Sequence, residues 1–366
     1  MPILFNDFKQ QYQLRKDEFD NAISRVLDSG WYILGKEVEN FETEFAQKNE
    51  SKYAVWVANG LDAIKISLLA LWIEPGDEVI TTSHSAVATT LAILDVWAVP
   101  VFVDIDEYFN IDASKIEEKI TQKTKAILPV HLYGQACEIE EIKKICEKYN
   151  LFLVEDCAQS HFTEYNGKKV WNFWNVGCFS FYPTKNLGAF GDAGAIVTND
   201  EEIYKKCKMI RNYGQENRYE HKMYGINSRL DEIQAAILSV RLKNIFEENE
   251  RRREIAQKYI SELKWIVEIT LPKIQIKGKH AFHLFVIESD RRDELMKYLA
   301  DKWIPSLIHY PIPIHLQPLF AGKYEKLDLP VLGEKIHTIL SLPIHPLLTD
   351  VEVVIITNSI RQFYGK

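Results

Sequence analysis

Seven short apolar, β-branched runs recur through the first 200 residues: YAVWVAN (53–59), DEVITTS (77–83), VPVFVDID (99–106), AILPVHLY (126–133), LFLVEDC (151–157), VGCFSFY (176–182) and AGAIVTN (193–199). The first five are separated by helical patterns, LDAIKISLLALW, AVATTLAILDVW, DASKIEEKITQ and EIEEIKKICEKYN. Strands alternating with helices at this spacing predict parallel β-α units. Runs that are apolar almost throughout need a sheet covered on both faces, and their crossovers are right-handed. The predicted fold is α/β, with a seven-stranded, mostly parallel sheet.

The pattern changes further along. Residues 230 to about 264 read as one long helix, carrying Ala235, Ala236, Ile237, Val240, Leu242 and Ile245 and then the charged run EENERRREIAQKY. Such a run is a solvated helix face and a natural bridge to a second domain. Beyond it come short strands (IVEITL, AFHLFVIE), a helix (RRDELMKYLADK), the Pro-rich stretch YPIPIHLQP and a final helix (TDVEVVIITNSIRQFY). A length of 366 residues, at about 150 per domain, suits roughly two to two and a half domains. The division expected is a large domain over 1–245 and a smaller α+β domain over 246–366.

Composition narrows the partners. Net charge is −8 and charged residues are 26% of the chain, which argues against a nucleic-acid binder and against disorder. No uninterrupted apolar stretch approaches the roughly 18 residues of a membrane helix. The N-terminus turns polar after five residues, unlike a signal peptide. A cytoplasmic protein with no membrane partner is expected. The five cysteines are an odd number without a CxxC pair, so they read as reduced, buried thiols, and no metal site is expected.

In open parallel sheets, ligands sit outside the carboxyl ends of the strands. Four loops there carry unusual chemistry. Asn59-Gly60-Leu61-Asp62-Ala63 opens a helix straight after a strand, where backbone N–H groups attract anions; it also fits simple helix capping. Asp156 lies at the carboxyl end of the run LFLVEDC, just before its last residue, and a carboxylate there needs a positive partner such as a protonated ring nitrogen; an exposed or capping Asp is the plainer reading. Lys185, in SFYPTKNLGAFGDAGA, is a candidate Schiff-base amine or a phosphate or surface lysine. In GINSRLDE, Asn227, Ser228 and Asp231 fit caps of the long helix, and Arg229 fits pairing with a carboxylate or phosphate.

The order is more telling than any one loop: a phosphate-type loop, then a strand-end Asp, then Ser180 and Lys185. With SGWYILGKEVENFE, VANGLDA, PVHLYGQ, VEDCAQS, GINSRLDEIQAA and HYPIPIH, the chain resembles the DegT/DnrJ/EryC1/StrS sugar aminotransferases over essentially its whole length. That resemblance implies the fold type I pyridoxal-phosphate architecture of aspartate aminotransferase. It implies Lys185 as the Schiff-base and proton-shuttling lysine, and Asp156 as partner of the pyridinium nitrogen. It also implies Gln159 near the ring hydroxyl, and Ser180 with the N–H groups of Gly60, Leu61 and Asp62 around the phosphate. Asn227 would reach the phosphate of a neighbouring subunit in a homodimer. One position departs from the family: an aromatic usually stands third in the loop here written His84-Ser85-Ala86-Val87-Ala88 and stacks on the cofactor. Here Ala86 occupies it, leaving His84 or an aromatic from elsewhere for that task.

Retention of Lys185 implies amination rather than the dehydratase branch. The Asn59–Ala63 loop and His309-Tyr310 with His315 resemble enzymes acting on dTDP-linked 3-keto sugars. Tyr32, Tyr182, Arg218, Tyr219, Lys222 and Arg229 are the further substrate-side residues implied, with glutamate as amino donor and the pyridoxamine form as intermediate. The alternatives are another keto sugar (a 4-keto nucleotide sugar or 8-oxo-Kdo) and a non-catalytic, cofactor-binding regulator. Trp171 and Trp174, in WNFWNV, read as packing, with a wall of the substrate site as the second possibility.

Overall fold

A computed structural model describes residues 3–324 and 326–366; the Met1-Pro2 start of the sequence lies outside them. All seven runs form strands of one sheet: β1 Tyr53–Val57, β2 Glu78–Thr82, β3 Val99–Val103, β4 Thr124–Ile127, β5 Phe152–Asp156, β6 Val176–Ser180 and β7 Gly194–Thr198. Their order across the sheet is β1-β7-β6-β5-β4-β2-β3. Neighbours from β6 to β3 pair in parallel, while β7 runs antiparallel to both β6 and β1. Helices cover both faces, which is why β1, β2, β5 and β7 are buried along almost their whole length.

Three sequence expectations are corrected. The run 126–133 is strand only to Ile127, because Pro129 has no N–H for the ladder. Beyond it Val130 makes a single bridge to Asp156, and Tyr133 turns the chain with φ 60°. DASKIEEKITQ forms two 3-10 turns, Ala113–Lys115 and Glu117–Lys119, where Ile116 is fully buried and Ile120 only partly so; that is too little apolar surface for a helix face. The long helix is two, Glu232–Leu242 and Ile245–Leu263. Breaking at Lys243-Asn244 lets Leu242 and Ile245 both bury in the large core. The second helix then carries Ile255, Ala256, Tyr259 and Leu263 into another.

That second core belongs to a three-stranded antiparallel sheet, ordered β8 Ile269–Thr270, β9 Phe285–Ser289 and β10 Ile339–Leu342. Helices Arg292–Asp301 and Asp350–Phe363 back it, the latter opened by a Thr349/Glu352 capping box. Two N-terminal helices, Lys16–Ser29 and Lys36–Asn49, were not read from the sequence. Buried Glu232 caps the second of them, accepting from the N–H groups of Gly35 (2.8 Å), Glu37 (2.8 Å) and Val38 (3.1 Å). All five cysteines are buried and free, as expected. Among the described residues, no helix is long and apolar enough to cross a membrane. Trp171 is packing: its ring is buried in the large core and its Nε1 donates to Asn49 O (3.1 Å).

Three helices end in a tryptophan in the left-handed conformation: Trp72 (φ 58°), Trp97 (φ 60°) and Trp303 (φ 61°). Each closes a Schellman turn, with the following N–H bonded back to Leu68, Ile93 or Leu299. Glycine is the usual residue there, because a side chain with a Cβ is strained at positive φ. Trp97 and Trp303 are 78% and 75% exposed, so their indoles recover little by packing. Trp97→Gly and Trp303→Gly should each raise stability by about 1 kcal/mol. Urea unfolding measures this, and a loss of the same size would show that the indoles hold contacts worth more than the strain.

Candidate active site

Asp156 is the last residue of β5 and is buried. Its Oδ1 accepts from the Ala158 N–H (3.0 Å) and its Oδ2 from the Thr89 hydroxyl (2.8 Å). Burial raises its pKa, and those two donors and the positive Lys185 pull it back down. Lys185 lies in the turn after β6, with its backbone N–H bonded to Tyr182 O (2.8 Å). Part of its side chain is accessible, but its amine is deep enough that burial lowers its pKa to about 8, with Asp156 opposing. The two strand-end groups therefore shift each other's proton affinity. Three buried or half-buried histidines near the lysine, His161, His283 and His309, are kept neutral by burial and by its charge.

The anion cradle is built by close approach. A Cβ on Gly60 would lie 2.6 Å from Ser180 Cβ, and one on Gly194 would lie 2.2 Å from Asn59 O. Only glycine at both positions brings the β1 loop, the end of β6 and the start of β7 together. Ser228 fixes the loop from behind by accepting from the Ala58 N–H (3.0 Å). Asn59 Oδ1 caps the helix Gly60–Ala70 by accepting from the Asp62 N–H (2.8 Å). The capping reading thus holds for Asp62, and the open first-turn donors are those of Gly60 and Leu61.

Gln159 is buried beside Asp156. Its Oε1 accepts from the Tyr133 N–H (2.8 Å) and its Nε2 donates to Tyr310 Oη (3.0 Å), which leaves one amide hydrogen. The Tyr133 hydroxyl donates to His309 O and receives His84 Nε2–H (2.7 Å). His84 is thereby committed to Tyr133, with Phe109 6.0 Å away between ring centroids. His309 Nδ1 bonds Ser341 (2.9 Å), tying the small sheet to this wall. His315 docks the Pro-rich loop onto β2, its Nδ1 2.6 Å from Ser83 Oγ.

The remaining sequence-predicted residues stand at the surface. Tyr32 and Tyr182 are 50% and 52% exposed, and Asn227 is exposed with no side-chain hydrogen bond among the described residues. Arg218, Tyr219 and Lys222 sit on or beside the hairpin Gln215–Asn217/Glu220–His221. The Arg218 guanidinium lies over Tyr219, Lys222 pairs with Glu220 (2.9 Å), and His221 Nδ1 ties the hairpin back to Tyr213 O (2.8 Å). Arg229 donates to Asn212 (3.1 Å) and lies over the Tyr213 ring. The structure therefore gathers Gly60, Leu61, Asp156, Gln159, Ser180, Lys185, His309 and Tyr310, and leaves the 218–222 group apart.

Sequence reasoning missed Thr89 and Tyr133. The polar run Ser83-His84-Ser85 leading into an apolar helix was the available signal for Thr89; for Tyr133 it was the motif PVHLYGQ, which singles out no one of its residues. It also saw no clustered metal ligands, whereas His131, Glu155 and Cys157 bring ligand atoms within 4.8 Å of one another in the core. His131 Nδ1 accepts from the Cys137 N–H (3.0 Å), so its Nε2 carries the proton it gives to Glu155 (2.9 Å). That nitrogen is not free to bind an ion, and the cluster is a hydrogen-bonded core pair.

The DegT/DnrJ/EryC1/StrS aminotransferase family model matches residues 13–361. The chain is 46% identical over 363 residues to dTDP-3-amino-3,6-dideoxy-alpha-D-galactopyranose transaminase of Aneurinibacillus thermoaerophilus, covering 99% of each. It is 42% identical over 362 residues to UDP-2-acetamido-2-deoxy-3-oxo-D-glucuronate aminotransferase of Pseudomonas aeruginosa, covering 98% of this chain and all of that one. The crystal structure of Streptomyces venezuelae DesV, in complex with a ketimine intermediate, superposes with TM-score 0.97 at 41% identity, over 100% of this chain and 99% of that one. A strand-end carboxylate, a lysine with a deep-set amine and an anion cradle fit pyridoxal phosphate, and the chain belongs to the DegT/DnrJ/EryC1/StrS family of pyridoxal-phosphate-dependent aminotransferases.

Proposed function

We propose that this enzyme moves an amino group from glutamate to the C3 carbonyl of a nucleotide-linked keto sugar, converting dTDP-3-oxo-6-deoxyhexose to dTDP-3-amino-3,6-dideoxyhexose. We propose that it works in the cytoplasm as a homodimer. The observation that carries the chemistry is Lys185, its pKa lowered to about 8, sharing one buried strand-end site with Asp156. Bound pyridoxal phosphate supplies an electron sink. Asp156 holds the ring nitrogen protonated, and Gln159 offers its remaining amide hydrogen to the ring hydroxyl. Ser180 and the N–H groups of Gly60 and Leu61 receive the phosphate. The Lys185 amine anchors the cofactor and then carries a proton to and from the substrate carbon. A pKa near neutrality suits an amine that must both take and give that proton.

C3 and the dTDP carrier are supported by the relative from Aneurinibacillus, and C3 alone by the one from Pseudomonas, a UDP-sugar aminotransferase. A UDP-linked 3-oxo sugar is therefore the second reading. Dimer formation is supported by Asn227, whose side chain bonds nothing among the described residues, and by the exposed aromatics Trp31, Tyr182, Tyr219 and Tyr224. Across a twofold, the 218–222 hairpin would bring Arg218, Tyr219 and Lys222 to the partner's substrate, with Tyr32, Tyr182, Arg229, His309, Tyr310 and His315 as the other substrate-side residues.

Release of 2-oxoglutarate from glutamate, measured with a panel of keto sugars, tests the reading. The dTDP-3-keto-6-deoxyhexose should be turned over at least about tenfold faster than UDP-3-keto or 4-keto sugars. A faster UDP sugar would overturn the carrier, and no release with any would favour a regulator that only binds the cofactor. Lys185→Ala should lower turnover on the order of 10³-fold or more. In cofactor-free enzyme, attachment of pyridoxal phosphate to Lys185, trapped by borohydride, should rise with pH around a midpoint near 8. Burial disfavours the charged amine, so the reactive neutral form appears below the usual lysine pKa. A midpoint at the ordinary lysine value of about 10.4 would contradict the buried placement.

A further inference from the structure

We propose that Thr89, backed by Ser85, is a positioning residue that sets how strongly the Asp156 carboxylate holds the cofactor's ring nitrogen. The inference rests on the reading of Asp156 and Lys185 given above. Thr89 is 1% and Ser85 4% exposed; Ser85 lies in the loop after β2, and Thr89 in the first turn of the helix Val87–Asp95. The Thr89 hydroxyl reaches Asp156 Oδ2 at 2.8 Å, and Ser85 Oγ lies 2.9 Å from Thr89 Oγ1.

The direction of this chain follows from proton counting. An ionised carboxylate only accepts, so the single Thr89 hydroxyl hydrogen goes to Asp156. Thr89 Oγ1 must then accept from Ser85, and the order is Ser85 to Thr89 to Asp156. Hydrogen bonds in series polarise one another, and a donor to a carboxylate draws off part of its negative charge. The Ala158 N–H occupies the other oxygen, so Thr89 is the one side-chain hydroxyl among the described residues that donates to Asp156. The other titratable groups facing the carboxylate are Lys185 from the turn after β6, His131 and Cys137 from beyond β4, Tyr310 from the small-domain loop, Cys157 directly after Asp156, and Cys178 on neighbouring β6. None of them is bonded to Thr89.

The test is the pH titration of the visible absorbance of the lysine–cofactor linkage in the holoenzyme. Without the Thr89 donor the carboxylate bears more charge and offsets more of the ring's positive charge. The linkage nitrogen then keeps its proton to higher pH. Thr89→Val should move the midpoint up by roughly half a unit to one unit, and Ser85→Ala should move it less in the same direction. Thr89→Ser should restore the wild-type midpoint. An unmoved or lowered midpoint in Thr89→Val, or an equal shift in Thr89→Ser, would overturn the inference. Should Thr89→Val not fold, Ser85→Ala decides alone by an upward shift or none. Wild-type enzyme without a visible cofactor band would instead overturn the reading of Lys185. A normal band with unmoved variants overturns only the role of Thr89.

Discussion

A carboxylate buried at the end of a central strand has to be stabilised, and Asp156 organises its surroundings to that end. Moving such a group out of water costs several kcal/mol unless donors and a positive charge replace the lost hydration. Here the donors are the next turn's Ala158 N–H and Thr89, from a helix two strands away in the sheet. The positive charge is Lys185, itself displaced from its ordinary pKa by the same burial. Each group is unfavourable alone, and the pair is a place where a cationic ring nitrogen and a reactive amine belong together.

The surrounding fold brings these groups into register. A parallel sheet places the ends of β1, β2, β5 and β6 at one edge, so loops far apart in sequence converge there. Two glycines set the final spacing: Gly60 against Ser180, and Gly194 against the Asn59 carbonyl. On the other side, Gln159 bonds Tyr133 and Tyr310 together, and His309 reaches Ser341 of the small sheet. The wall of the site is therefore shared between both cores, which couples cofactor contacts to the placement of the small one.

Much of this was legible in the sequence for a physical reason. Strands buried on both faces are apolar along their length, so all seven could be found, and the polar residues that interrupt their ends marked Asp156 and Lys185. What was not legible depends on three dimensions. Pro129 ends β4 early because of a ladder bond that only the pairing reveals. The break at Lys243-Asn244 answers to two cores that the helical period does not distinguish. DASKIEEKITQ has the right length for a helix but too few apolar residues on one side. The Asp62 N–H, expected to be open, is taken by Asn59, a choice between capping and anion binding that spacing leaves undecided. Thr89 looks in sequence like any helix-forming threonine, and its hydroxyl acquires meaning only from a carboxylate 67 positions away.

The central claim is that the Asp156 charge, rather than the shape of the pocket, makes the bound cofactor reactive. Asp156→Asn keeps the size and much of the hydrogen bonding and removes the charge. Single-turnover amino transfer from glutamate to the holoenzyme, followed by the cofactor's own absorbance, isolates that effect from sugar binding. Asp156→Asn should still bind pyridoxal phosphate at Lys185 but transfer the amino group on the order of 10³-fold more slowly. Transfer within about tenfold of wild type, with the cofactor fully bound, would contradict it.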